Sequence, residues 1–210
     1  MSRTKASKRI RLPRPAIKGQ HYCLEETLAA RRSVREFTDE PLTEAEISQL
    51  LWSAQGVTDA EGLRAAPSAG ALYPLELYVA MSTGFYKYDH VRHELTLSRD
   101  EDVKRKLYDA ALAQDAIVAA PVVFLITAVV ARTQRKYGQW AEGYVMMEVG
   151  HVAQNLLLQA VALDLGGVPI GAFDDEQVKD ALRLAAGESP LYLIPVGHPA
   201  ASALARLKKW

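Results

Sequence analysis

The 210-residue chain has a single cysteine, Cys23, so it cannot close a disulfide within one subunit. The same scarcity excludes zinc or iron–sulfur centres built from several thiolates of one subunit, and one free thiol fits a reducing cytoplasm. Charge of one sign is also missing: 25 Lys and Arg balance 25 Asp and Glu. With no global field to draw in nucleic acid or an anionic membrane, any recognition of an anion has to be local. The longest apolar stretch, residues 137–167, carries Glu148, His151, Gln154 and Asn155 through its centre, which excludes a membrane span. No GxSxG and no phosphate-binding P-loop occurs, so those hydrolase and triphosphatase mechanisms drop out. The basic start, MSRTKASKRIRLPRPAIKG, lacks the apolar core of a secretory signal. It reads as a solvated arm, residues 1–20, ahead of one domain over residues 21–210.

What is present is enough apolar material for one sizeable core, at 49% of residues. LEETLAARR suits a short helix with Leu24 and Leu28 on its apolar face. PLTEAEISQLLWSAQG predicts a second, with Thr43 and Glu46 as a capping box, a stripe of Ile47, Leu50, Leu51 and Ala54, and Gly56 at its end. LELYVAM reads as a strand, and FYKYD and ELTLS as a hairpin around HVRH. His90 and His93 fall in that turn without ligand spacing and are expected to be solvated, not metal ligands.

DEDVKRKLYDAALAQDAIVAA predicts one helix capped by Asp100. PVVFLITAVV, apolar at both alternating sets of positions, predicts a central strand covered on both faces. YGQWAEGYVMMEVGHVAQNLLLQAVALDLGG predicts a long helix too apolar all round for a monomer, hence an obligate dimer. His151, Gln154 and Asn155 on it are expected to satisfy polar partners at that interface. DDEQVKDALRL then gives a capped helix and PLYLIPVG a strand, so the fold class is α+β, helices around a mixed sheet.

Three stretches carry chemistry. Arg31, Arg32, Ser33 and Arg35 set guanidinium forks and a hydroxyl at a helix end, the donor set for a phosphate. Pairing with Glu25, Glu26, Glu36 or Asp39 as a charged surface is the bland alternative. RAAPSAGALYP places small residues before a strand, where a flat ligand can approach backbone closely. Gly166 and Gly167 follow a helix, not a strand, so they are not the Rossmann dinucleotide fingerprint.

These stretches, in this order, resemble the flavin-dependent nitroreductase superfamily from about Leu24 to His198. LAARRSVREF, APSAGALYPLELYV, RKYG, MEVGHVAQNLLLQAVALDLG and PVGHP are more narrowly similar to its SagB/ThcOx dehydrogenase branch. The resemblance implies a homodimer with a long central helix at the interface and two FMN molecules there, each held by both chains. It implies Arg31, Arg32, Ser33 and Arg35 on the FMN phosphate and ribityl chain, and Pro67, Ser68, Ala69, Gly70 and Leu72 along the flavin ring. Gly166 and Gly167 would offer backbone amides to the N5 and O4 edge. Arg206, with Lys208 and Lys209 as substitutes, matches a basic residue after the last strand.

Lys136 and Tyr137 match a Lys–Tyr pair that removes a proton in azoline-oxidising members. The Arg and Tyr that follow in those members are replaced here by QWAEG, and no extra recognition domain for peptides is expected, which favours a small substrate. The leading expectation is therefore hydride transfer from NADH or NADPH through flavin N5 to a small acceptor, with no metal, nucleic acid or membrane. The reverse reaction on an azoline-type ring and a non-catalytic flavin store are the alternatives.

Overall fold

The structure is a computed structural model and describes residues 8–17 and 22–203. Arg206, Lys208 and Lys209 lie outside the described residues. Seven strands form one sheet: β1 (Arg9–Arg11), β2 (Leu75–Met81), β3 (Gly84–Asp89), β4 (Glu94–Arg99), β5 (Val122–Ala128), β6 (Gly166–Gly167) and β7 (Ser189–Gly197), in the order β1-β4-β3-β2-β5-β7-β6. The named strand pairs run antiparallel, and a parallel bridge joins Ser33 to Gly167 at the β6 edge. Arg9–Arg11 was expected within a solvated arm, yet it pairs with residues 94–96 as an edge strand and Leu12 behind it is buried. The Arg–Ile–Arg alternation lets one apolar side chain face inward while the arginines stay wet.

β5 lies inside the sheet, between β2 and β7, with every residue buried, as its unbroken apolar run predicts. Its alternating side chains feed two cores. Val122, Phe124, Ile126 and Ala128 pack with the helices α2 (Glu44–Gln55) and α6 (Ala141–Ala162). Val123 and Leu125 pack with α3 (Lys104–Ala110), α4 (Ala116–Ala119) and α7 (Asp175–Leu182). The two remaining helices, α1 (Leu24–Ala30) and α5 (Ala131–Tyr137), flank α6.

α2 begins as its sequence dictates: Thr43 Oγ1 accepts the Glu46 N–H at 3.2 Å and Glu46 Oε2 accepts the Thr43 N–H at 2.7 Å. α7 is capped by Asp174, which accepts the Gln177 N–H at 2.9 Å. The predicted single helix after residue 100 is instead two, because Leu112 and Ala113 both take left-handed backbone near φ 56°. Asp100 does not cap it; Asp102 Oδ1 accepts the Lys104 N–H at 2.9 Å. Leu24 and Leu28, expected on a buried stripe, are exposed, and Thr27 is the buried residue of α1. His93 is not solvated either: its ring bonds Ser48 at 2.7 Å and Tyr88 at 2.8 Å.

α6 is buried at Val145, Val149, Val152 and Leu156, and bare on another stripe. There Met146 and Met147 are exposed, and a Cβ added at Gly143 or Gly150 would meet nothing within 4 Å. Trp140 at its start is 66% exposed. No helix among the described residues is long and apolar enough to cross a membrane.

Candidate functional site

The chain leaves α1 at Arg31 and runs extended beside the short β6, with bridges from Ser33 to Gly167 and from Phe37 to Pro199. The Val34 N–H donates to the Gly167 carbonyl at 3.0 Å, and Val34 is buried. In an extended segment side chains alternate, so Arg31, Ser33 and Arg35 share one face while Arg32 and Val34 share the other. Among the described residues, none of the three arginines pairs with a carboxylate, so the charged-surface alternative gains no partner. Arg32 folds back, donating to the carbonyls of Ala29 at 3.0 Å and Arg31 at 2.8 Å. Gly166 is required for this close approach: a Cβ there would lie 2.7 Å from Val34.

A cavity of about 470 Å³ opens between α1, the end of α6 and this glycine pair. Ala29, Val34, Leu157, Val161, Gly166 and Gly167 give it apolar walls, and Arg32, Glu26 and Asp164 stand at it as charges. Tyr22 closes one side, donating to Asp164 Oδ1 at 2.7 Å. Sequence reasoning missed Tyr22 and Asp164, whose contact spans 142 positions and has no local signature.

The small-residue loop forms a second half-site. Ser68 precedes a 3₁₀ turn, Ala69–Ala71, in which Gly70 has φ 62°. Tyr73 also takes positive φ. Its N–H donates to Ser68 Oγ at 2.9 Å, and its hydroxyl accepts the Arg64 N–H at 3.0 Å, so the loop is tied to itself at both ends. Pro67 and Gly70 are exposed, while Ser68, Ala69 and Leu72 are half-buried.

Lys136 and Tyr137 come from the last turn of α5, a separate helix, whereas the sequence pattern predicts Tyr137 at the start of the long one. They lie against this loop: a Cβ on Gly70 would be 2.8 Å from the Tyr137 hydroxyl and 2.9 Å from Lys136 Nζ. Tyr137 packs edge-on against Tyr144 of α6, at 5.0 Å between ring centres.

Beneath the loop, Glu148 of α6 accepts the Ser68 hydroxyl at 2.6 Å. Burial pushes the Glu148 carboxyl above its ordinary pKa, opposed by Ser68, Gln55, Arg64 and His151. Arg64 donates to Gln55 Oε1 at 3.0 Å and lies over the Tyr73 ring at 4.2 Å. Its Nη2 meets His90 Nε2 at 2.7 Å, and burial, then Arg64, lowers the His90 pKa, so the ring accepts this bond as a neutral imidazole. His90 is thus a hydrogen-bonded partner and not a solvated turn residue.

The two half-sites stand at different heights on α6. Glu148 marks one, and Leu157 and Val161 mark the other, nine to thirteen residues on, which is on the order of 14–20 Å at 1.5 Å per residue. The arginine segment is bridged to Gly167, which lies against Leu157, so one protomer holds that segment and the small-residue loop apart along α6.

The sequence profile of the nitroreductase family matches residues 28–198, a span that takes in both half-sites. The chain belongs to the nitroreductase family. A Methanocaldococcus jannaschii protein described as a nitroreductase is 48% identical over 181 residues, covering 83% of this chain and 90% of that protein. A Thermus thermophilus NADH dehydrogenase is 27% identical over 202 residues, covering 81% of this chain and 83% of its own length. The solved structure of a Ralstonia eutropha nitroreductase superposes with TM-score 0.84 at 31% identity, covering 92% of this chain and 90% of that one. As a member of this family the protein is a nitroreductase-like oxidoreductase, and the α+β fold expected from sequence is the family's fold.

The residues present suit a flavin mononucleotide. Arg31 and Arg35 are cations without an acid partner among the described residues, and the glycine pair lets a ligand reach backbone. Gly70 keeps the ring-side loop clear of any Cβ below Lys136 and Tyr137.

Proposed function

We propose that this nitroreductase-family protein is an FMN-dependent oxidoreductase that passes hydride from NADH or NADPH through flavin N5 to a small electron acceptor. The observation that carries the reading is the extended Arg31–Ser33–Arg35 face, with two guanidinium groups that pair with no carboxylate among the described residues, beside a glycine pair that must stay bare. Arg31 and Arg35 would clamp the phosphate bidentately, and Ser33 would add a hydroxyl. Pro67, Ser68, Ala69, Gly70 and Leu72 would line the ring, and amides near Gly166 and Gly167 would face its N5 and O4 edge. Bound FMN supplies reversible two-electron chemistry; fixed donors at that edge stabilise added negative charge without reorganising.

A homodimer completes this site. A single chain keeps its two half-sites apart along α6, so a second copy has to bring its small-residue loop to the first copy's arginines. The bare stripe of α6 supports that geometry: a glycine inside a helix costs about 1 kcal/mol against alanine, and among the described residues nothing packs close to Gly143 or Gly150 to offset it. A partner helix packed closely over them, with Met146 and Met147 covered, accounts for both.

A second reading is favoured by one contact. Lys136 and Tyr137 converge on Gly70, where either could take a proton from a substrate ring that loses hydride to FMN, the SagB/ThcOx direction of the chemistry.

The test is anaerobic stopped-flow of the FMN-loaded protein. Bleaching of the flavin by NADH or NADPH, followed by reoxidation with a nitroarene or quinone, is expected. No bleaching with either nucleotide, but bleaching by an azoline that is lost in a Lys136→Ala, Tyr137→Phe double variant, would move the assignment to the second reading. Bound FMN with no turnover in either direction would leave only flavin storage.

A further inference from the structure

Electron transfer as proposed leaves one buried acid without a task. Glu148 is 2% exposed, and both of its oxygens are engaged. Oε2 accepts the Ser68 hydroxyl at 2.6 Å, and Oε1 accepts the Gln55 amide at 3.5 Å, the weaker contact. Ser68 Oγ accepts the Tyr73 N–H at 2.9 Å. A hydroxyl has one hydrogen and two lone pairs, so with a carboxylate at 148 the Ser68 hydrogen is committed inward. With a carboxylic acid at 148 the acid becomes the donor, and the Ser68 hydrogen is released to donate elsewhere. One proton therefore selects between two polarities of the same short bond. Gln55 is as buried as Glu148, whereas Ser68 is half-buried, so exchange with solvent runs through the serine.

We propose that Glu148 takes up a proton from solvent when the flavin site is reduced, reversing the Ser68–Glu148 hydrogen bond so that the serine hydroxyl donates to the reduced ring. This rests on the reading that FMN lies against Ser68. Hydride transfer moves two electrons and one proton from NAD(P)H, which becomes NAD(P)⁺, and adds one negative charge at the ring. One further proton passes from water to Glu148, converting carboxylate to carboxylic acid, and no other bond changes; reoxidation returns it. The added charge favours this uptake because a like charge nearby raises a carboxyl pKa, and burial already pushes Glu148 upward.

The groups that face Glu148 set the starting point. Arg64 and, one turn along α6, His151 favour the carboxylate. α2 offers the uncharged Gln55. Lys136 and Tyr137 of α5 approach the loop at Gly70, and Arg132, paired with Glu76, holds the Tyr73 carbonyl at 3.1 Å. Of the two side chains hydrogen-bonded to Glu148, Ser68 is the half-buried one and Gln55 the buried one.

The experiment measures the midpoint potential of the FMN-loaded protein from weakly acidic to weakly alkaline pH, with reduced-minus-oxidised infrared difference spectra. The wild type is expected to bind one more proton per two electrons than Glu148→Gln, a potential that falls about 30 mV more steeply per pH unit, tenfold in the equilibrium for each unit. A protonated carboxyl band is expected in the reduced wild type and not in E148Q. Ser68→Ala, which keeps the acid, is expected to lose the extra slope, and carries the test if E148Q fails to fold. Parallel slopes in wild type and E148Q with no carboxyl band overturn the proposal while FMN binding stands. A full slope in S68A overturns the coupling of Glu148 to the ring through the serine hydroxyl. A protein that binds no FMN removes the reading and the proposal together.

Discussion

Two glutamates are buried on opposite faces of the same sheet, and their partners differ in kind. Glu188, 4% exposed at the start of β7, accepts Thr127 of β5 and, at 3.2 Å, Tyr78 of β2. Both donors belong to the sheet, and burial pushes the Tyr78 hydroxyl far above its ordinary pKa, so it stays a donor at any working pH. Glu148 accepts instead from Ser68, a hydroxyl on a loop with left-handed backbone and exposed neighbours. A buried acid whose donors are all core groups fastens strands together. One whose principal donor stands on the rim of a site transmits its charge state to that rim. The α3–α4–α7 face is thus the supporting side of the molecule, and the α6 face is the one on which the proposed site stands.

The largest expected effect breaks this division at the bare stripe of α6. Met147→Glu places a charge on an exposed position, so one chain should keep its fold, with circular dichroism unchanged. The second copy should be lost, and with it flavin retention, because in the proposed dimer each site needs both half-sites; sedimentation and FMN titration read the two losses together. A dimeric, fully flavinated M147E would remove this stripe from the interface.

Glu188→Ala should act in the opposite sense. It strands the hydroxyls of Thr127 and Tyr78 in the core, at a cost of about 2 to 4 kcal/mol in chemical denaturation. FMN affinity should not change in the protein that remains folded. A lowered affinity at unchanged stability would mean that Glu188, too, communicates with the site.

Arg31→Ala is the matching test at the other half-site. Losing a charge-assisted clamp should weaken FMN by about 1.5 to 3 kcal/mol, roughly ten- to a hundredfold, with stability unaffected. Arg32→Ala should weaken it less, since Arg32 lies on the opposite side of the extended segment and spends its guanidinium on two carbonyls. Equal losses would mean that the four-residue cluster acts as one, as its bare sequence implies.

That contrast marks where the sequence was legible. Local codes were: the Thr43–Glu46 box, the doubly apolar β5 and the Asp174 cap each reside within a few residues and override little. Even α6 was readable, since its polar centre and apolar flanks coexist in one run. The break between α3 and α4 was not, because Leu112 and Ala113 are ordinary helix formers. Their turn is held from afar: Gln114 donates to Ala172 at 3.0 Å, and the Asp174 N–H takes the Ala110 carbonyl at 2.9 Å. The split of the arginine cluster depended on one parallel bridge to Gly167, more than a hundred residues on. The Ser68–Glu148 bond joins positions 80 apart, and Glu148 by itself looked like one more polar residue on a long helix.

The smallest effect separates the two glutamates by pH alone, in flavin-free protein. Glu148 has its carboxyl pKa raised in the folded state, so between the unfolded and the folded value the native protein holds more protons than the unfolded chain. The stability that Glu148 lends is therefore fully present below the unfolded pKa of a glutamate. It is lost progressively as pH rises through the folded one, and is flat above that. E148Q lacks this dependence. Urea midpoints of wild type and E148Q should accordingly diverge with rising pH and then run parallel, the wild type losing ground. If the difference between the two runs flat across the whole range, Glu148 binds no more protons in the native protein than in the unfolded chain, and burial does not raise its carboxyl pKa.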